Sequence, residues 1–412
     1  MKTISFQNIL ITILSKILSF MMFLILGKEL TEINFGQLVY VNLIISYIPM
    51  MQIGLMNGAA VLIPKHSISS NESVLDYFND FNISSLLLHS VSFIFLLIPV
   101  FELDTTLTLI ILVDLFFKKL IENLNLYLRS LLKLQRSIYV KVFDELLRVI
   151  IVLSFFMYNK SLRGIFEGHL IASILTFFLI LYLVPEYNFR FFSRQYKVNL
   201  REVFNIGFLI YISWLFDLLF RSLDKILIKG FMSIEDLAIY GFCSSLAINI
   251  WVLSLSYFSP YAQLLYRLVV EERFLKADLL IKKVNRFHLR LLTLAFVGAS
   301  LFYPLITKYF VKKYDEAYFT FIILLAAFGM LSRCNMYIYY MNCNRMQKKI
   351  IKHQLVIICI NIILNLISAY YFRDIFYFSI ATLVSALIYY KTLKVEYNNE
   401  IRRRLEAQKS GL

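Results

Sequence analysis

Long apolar runs, broken by short polar turns, set the reading of this chain. Stretches near 9–27, 36–57, 83–101, 106–128, 142–158, 165–184, 204–224, 239–259, 289–307, 318–341, 353–372 and 375–391 are each long enough, or nearly so, for a helix to cross a bilayer core. That core is about 30 Å thick and needs roughly 20 apolar residues per helix. The pattern therefore predicts an all-α integral membrane protein with about 12 transmembrane helices. The first run is followed by Lys28, Glu29 and Glu32 rather than by a small-residue cleavage pattern, so it reads as a membrane helix and not as a signal peptide. Between 260 and 288 the pattern suggests the longest internal loop, carrying a short surface helix near Glu271–Arg286. The longest external loop is expected at Lys225–Ala238. Pro49 falls within the second span, where a missing backbone donor would kink a helix.

Composition sharpens this picture. The 412 residues are 59% hydrophobic and only 17% charged, too little charge to clothe a soluble protein of this size. The net charge of +15 would suit nucleic acid in a soluble chain. Here it fits basic loops beside anionic lipid, and no nucleic-acid partner is expected. With the N-terminus inside, the cytoplasmic segments carry about three times as many Lys and Arg as the external loops, which places both termini in the cytoplasm. Cys243, Cys334, Cys343 and Cys359 lack ligand spacing, as do the five histidines, so neither a metal site nor a cofactor is expected. A short echo, Thr31-Glu32 with Phe35-Gly36 and Ser233-Ile234-Glu235 with Tyr240-Gly241, suggests two six-helix halves. These are 1–198 and 199–391, followed by a basic tail at 392–412.

The charges inside the spans carry the functional reading. Asp114, Lys118, Glu122, Asn125 and Arg129 fall within an arc of about 80° on one helix. Ser213, Asp217, Arg221 and Asp224 repeat that spacing, and Gln354, Asn361, Asn365 and Ser368 form an uncharged stripe. Lys16 and Arg333 stand nearly alone in apolar surroundings. A charge at the bilayer centre costs about 2.5–3.5 kcal/mol on insertion scales, so such residues face a cavity or one another. One reading is a wet compartment in which Lys16, Lys118, Arg221 and Arg333 bind an anionic head group. Asp114, Glu122, Asp217 and Asp224 would then couple ions. The other is that Asp114–Lys118, Lys118–Glu122 and Asp217–Arg221 are neutralising i→i+4 pairs. No catalytic residue is assigned. External loops of about 14 residues or shorter disfavour a polymerase or ligase, the missing loop Asp-x-Asp metal motif disfavours a glycosyltransferase, and without a Gly-x-x-x-x-Gly-Lys-Ser/Thr phosphate loop the chain is not expected to use ATP itself.

Phe35-Gly36-x-x-x-Tyr40, Gln52-Ile53-Gly54-Leu55-x-Asn57-Gly58-Ala59 with Pro64, Leu223-Asp224-Lys225-x-Leu227-Ile228 and Ile239-Tyr240-Gly241 with Pro260 form a recognisable set of helix junctions. The chain resembles the polysaccharide flippases of the multidrug/oligosaccharidyl-lipid/polysaccharide exporter superfamily, the O-antigen (Wzx-type) flippases above all. The resemblance implies two six-helix bundles around a central cavity. It also implies an undecaprenyl-diphosphate-linked oligosaccharide as the substrate, flipped from the cytoplasmic to the periplasmic leaflet of the inner membrane with cation coupling. Membrane lipid and polysaccharide-assembly proteins would be its partners. A drug or small-amphiphile exporter of the same fold is the alternative, although cationic drugs call for unpaired acids rather than unpaired bases.

Overall fold

The computed structural model describes residues 17–49, 54–55, 58, 82, 85–86, 104–130, 133–184 and 200–410. Lys16 and most of the 83–101 span lie outside them. The described chain is helical: α1 (17–29), α2 (Glu32–Tyr47), α3 (Thr105–Ser130), α4 (Leu134–Asn159), α5 (Leu162–Leu183) and α6 (Leu200–Phe231) come first. They are followed by α7 (Ile234–Val270), α8 (Phe274–Tyr309), a 3-10 turn at Lys312–Ala317, α9 (Tyr318–Cys343), α10 (Gln347–Ile367) and α11 (Ile375–Ser410). By length and composition, five of the described stretches can cross a membrane: Leu162–Leu183, Phe274–Tyr309, Lys312–Cys343, Gln347–Phe372 and Ile375–Gln408. All four cysteines are free thiols.

Helix starts are capped where the chain turns. Asp104 accepts from the Thr106 amide and the Thr106 hydroxyl ahead of α3. Those bonds hold its carboxyl below the usual range. Ser233 opens α7 with a reciprocal box, its hydroxyl accepting from the Asp236 amide at 3.0 Å while its own amide donates to Asp236.

Several connectors differ from the sequence expectation. No loop with a separate surface helix follows Pro260. Helix α7 runs on to Val270, a turn containing Glu272 in the left-handed region reverses the chain, and α8 continues unbroken from Phe274 into its apolar half. The external connector is likewise short, because α6 reaches Phe231 and α7 begins at Ile234. Pro49 sits in a 3-10 turn after the end of α2, and the residues that follow it, 50–53, lie outside the described ones. The basic segment from 392 continues α11, which extends to Ser410. Its extension is tied to α8 by Tyr397, which donates to Asp278 at 2.7 Å, and by Arg404, whose guanidinium lies 5.5 Å from the centre of the Phe274 ring.

Two compact units emerge, residues 1–25 with 41–212 and residues 26–40 with 213–412. In the first unit, α4 and α5 pack closely through Gly164-x-x-x-Gly168. A Cβ on Gly168 would lie 2.7 Å from the Val152 Cα, and one on Gly164 would lie 2.9 Å from the Phe155 carbonyl oxygen. Small residues at this spacing let helix backbones approach where water offers no driving force. In the second unit, α9 is the central helix, burying Phe321, Leu324, Leu325, Phe328, Leu331 and Met336. Phe35 is fully buried there against Phe242 and Tyr314, whose rings stack at 4.2 Å. Beside it, a Cβ on Gly36 would stand 2.2 Å from the Ile234 carbonyl oxygen. The Phe35-Gly36 pair is thus a plug and a notch.

Gly36→Val should lower the thermal midpoint of the purified protein by several degrees, since overpacking costs about 1–3 kcal/mol. Gly230→Ala, with nothing within 4 Å of its added methyl, should leave it unchanged. Fluorescence-detected melting in detergent compares the two, and equal midpoints would refute the notch.

Candidate functional site

Each unit carries a cluster of polar side chains within otherwise apolar helices. In the first unit, Lys118 on α3 pairs with Asp114 at 2.6 Å. Asp114 is buried and accepts from the Ser173 hydroxyl of α5 at 2.6 Å. Arg148 on α4 holds both oxygens of Asp144, at 2.8 and 3.0 Å, and its other terminal nitrogen lies 3.2 Å from the His169 ring. Thr176 donates to Asp144 at 3.1 Å. Lys118 lies close enough to Arg148 and Asp144 to feel their charges. Three helices thus converge on two bases, two acids and an imidazole.

The stripe read along α3 is divided by this geometry. Asp114 and Lys118 belong to the cluster. Glu122 turns away: it pairs with Lys119 at 3.2 Å, and its side chain is half exposed while that of Lys119 is buried. Asn125 is buried and accepts from Ser137 at 3.3 Å.

In the second unit, the stripes of α6 and α10 meet. Ser213 donates to the Gln354 side chain at 3.1 Å, and Gln354 returns a bond to the Ser213 carbonyl at 3.2 Å. Eleven residues on, Asn365 donates to Asp224 at 2.9 Å. Asp224 is buried, and it also accepts from Thr382 on α11 at 2.5 Å and from the Tyr240 hydroxyl of α7. Asn361 extends the network to Ser385 at 3.3 Å and accepts from Asn365 at 3.0 Å. The Asn365 carbonyl oxygen is buried with no donor. A carboxylate amid three donors, next to two amide oxygens, can hold a proton or a small cation.

Two bases stand on helices of the same unit, Arg221 along the α6 side of this seam and Arg333 on α9. Arg221 pairs with Asp217 at 2.7 Å, and its guanidinium sits 4.4 Å from the centre of the Trp251 ring. Arg333 on α9 rests over the Tyr390 ring of α11 at 4.6 Å. Its Nε is buried without a hydrogen-bond partner, and among the described residues no carboxylate pairs with it. An unsatisfied buried donor costs about 1–3 kcal/mol, more when charged.

The geometry gathers Asp217, Arg221, Asp224 and Arg333 in the second unit, and Asp114 and Lys118 in the first. Lys16 lies outside the described residues. The sequence pattern assigns no site role to Asp144, Arg148, His169, Trp251, Thr382 or Tyr390, and Tyr240 enters it only as part of a helix junction. The Asp144–Arg148 spacing, one helical turn, was the available signal.

Removing the Asp224 acceptor isolates three donors. Asp224→Leu should lower the thermal midpoint by several degrees, a loss of about 2–4 kcal/mol, and Asp224→Asn by much less. Melting curves of the two variants decide it, and a wild-type midpoint for Asp224→Leu would refute the network.

Comparison with known proteins places these clusters in a framework. The family model described as "Polysaccharide biosynthesis protein" matches residues 5–264. No curated protein matches by sequence. Among solved structures, the chain is similar to an inward-facing multidrug resistance MATE family transporter of the MOP superfamily, at 13% identity and a TM-score of 0.70, covering 93% of this chain and 95% of that one. A mutant of the Vibrio cholerae MATE transporter VcmN gives 14% identity and 0.69, with 97% of both chains covered. A Pyrococcus furiosus MOP superfamily transporter, reported with reversed polarity of its binding pocket and a suggested different function, gives 13% and 0.64 over 96% of both chains. The likeness shows the twelve-helix fold of these membrane transporters.

Proposed function

Since the chain belongs to the polysaccharide biosynthesis protein family, we propose that it is a flippase that moves undecaprenyl-diphosphate-linked O-antigen or related polysaccharide repeat units across the bacterial inner membrane, from the cytoplasmic to the periplasmic leaflet. Both termini lie in the cytoplasm, as the distribution of Lys and Arg supports. The chemistry asked of the protein is binding and release, with no bond made or broken. It works by alternating access, coupled to a cation.

Arg333 carries the reading. A guanidinium kept inside an apolar helical unit with an unpartnered Nε is a group waiting for an anion. A diphosphate supplies oxygens in the bidentate geometry that guanidinium prefers. Arg221, in the same unit, has part of its side chain accessible and is tethered to one acid that a phosphate can displace; in the first unit, Lys118 is likewise tethered to a single acid. Trp251 and Tyr390, beneath the two guanidinium groups, hold them flat without neutralising them. A transporter of cationic drugs of this fold would need the opposite polarity. The reversed pocket polarity reported for the Pyrococcus furiosus relative is a precedent for such a change.

Asp224 is the strongest choice for ion coupling. Asp114, Glu122 and Asp217 each have a basic partner, whereas Asp224 is held by hydroxyl and amide donors. Protonation or cation binding there would loosen or tighten the joint between α6, α10 and α11.

Arg333→Ala, Arg221→Ala and Lys118→Ala should each reduce complementation of a flippase-deficient strain at least tenfold, while membrane levels of the protein stay normal. Arg333→Lys should retain part of the activity. Surface polysaccharide measured on gels reads the outcome, and full complementation by all three alanine variants would sink the proposal.

A further inference from the structure

Helix α8 is a long helix with one bare side. At 36 residues it measures about 54 Å, well beyond the roughly 30 Å of a hydrocarbon core. Only 6% of its apolar window is buried against protein. Its inward face is set by Phe274, Ala277, Ile281, Val284 and His288. The opposite face is basic in its first half, with the exposed Leu279 among the bases, and aliphatic beyond Arg290. Lys276, Lys283, Arg286 and Arg290 share an arc of about 80° and are all exposed. Beyond Arg290, that same line continues as Leu294, Val297 and Leu301, which are 72%, 50% and 67% exposed.

The length fixes where this change falls. From Leu291 to Tyr309 the helix rises about 28 Å, matching the hydrocarbon thickness. Arg290 therefore stands at the boundary, with Arg286 one turn above it in the head-group layer and Lys283 above that. Among the described residues none of the three has a carboxylate partner. Asp278, the acid nearest along the helix, is taken by Lys282 and Tyr397.

We infer that the exposed face of α8 is a binding site for an anionic phospholipid. Its phosphate sits between Arg286 and Arg290, reached also by Lys283, and one acyl chain lies along Leu294, Val297 and Leu301. Charge complementarity at Lys283, Arg286 and Arg290, followed directly by the aliphatic line Leu294, Val297 and Leu301, selects this occupant. A zwitterionic lipid would bring an ammonium to the same cations, and a soluble anion would leave the aliphatic line uncovered. The inference is independent of the transported substrate.

Native mass spectrometry of the full-length protein in detergent tests it, with dioleoyl phosphatidylglycerol and dioleoyl phosphatidylcholine as probes. Wild-type protein should retain phosphatidylglycerol adducts about tenfold more than phosphatidylcholine adducts. Arg286→Gln with Arg290→Gln should remove that preference. The control pair Lys308→Gln with Lys312→Gln, at the other end of the helix, should keep it. If the double variant does not purify, the single exchanges Arg286→Gln and Arg290→Gln should each weaken the preference. Equal retention of the two lipids, an unchanged preference in the Arg286 and Arg290 variants, or its loss in the control pair would overturn the site. So would displacement of phosphatidylglycerol by an equimolar amount of undecaprenyl phosphate, which would assign the face to the carrier lipid.

Discussion

A charged side chain on a helix bathed in hydrocarbon must find its partners on neighbouring helices, and this requirement organises both units. Three helices of the first unit meet at Asp114, Lys118, Asp144, Arg148 and His169 because none of these groups can be left to lipid. In the second unit, Asp224 draws donors from α7, α10 and α11 to one point. Apolar packing alone gives little orientation inside a membrane, since lipid tails are as apolar as leucine. The polar contacts therefore set register, and the close glycine contacts set distance. What remains after all this pairing is the chemically informative residue. Among the described residues, Arg333 keeps a buried nitrogen with no hydrogen-bond partner.

The sequence revealed helix faces better than it revealed helix ends or partners. The stripe Ser213, Asp217, Arg221, Asp224 was legible because a helix repeats every 3.6 residues, and so was the stripe of Gln354, Asn361 and Asn365. That the two would join at Ser213–Gln354 and Asp224–Asn365 depends on which helices are neighbours, which periodicity does not encode. Glu122 shows the same limit on a small scale. Its spacing allowed Lys118 or Lys119, and Asp114 had already engaged Lys118. Arg148 was discounted because hydropathy does not report depth, yet its guanidinium reaches Asp144 and His169.

Helix ends were misplaced for a related reason. Hydropathy marks where apolar residues stop, and a helix is free to continue into water. Helices α7, α8 and α11 all do so, which turned an expected loop and an expected tail into helical extensions. The extensions are amphipathic and pack through Tyr397–Asp278 and the Arg404 guanidinium over the Phe274 ring, contacts of an ordinary soluble protein. Gly164-x-x-x-Gly168 was in plain view as a close-packing signal and needed only to be read as such.

The division of α2 and α6 between the units has an evolutionary corollary. Residues 26–40 belong with the second unit, and residues 200–212 belong with the first. Neither boundary falls in a connector; each falls partway along a continuous helix. A genetic exchange that swapped halves between relatives at the polar segment near residue 190 would leave each product with a short helical piece shaped for the wrong parent. The Phe35-Gly36 plug would then face a foreign Ile234, and Gly207 a foreign Gly54. Chimeras with new cargo should therefore arise more readily by replacing individual helices than by trading whole halves.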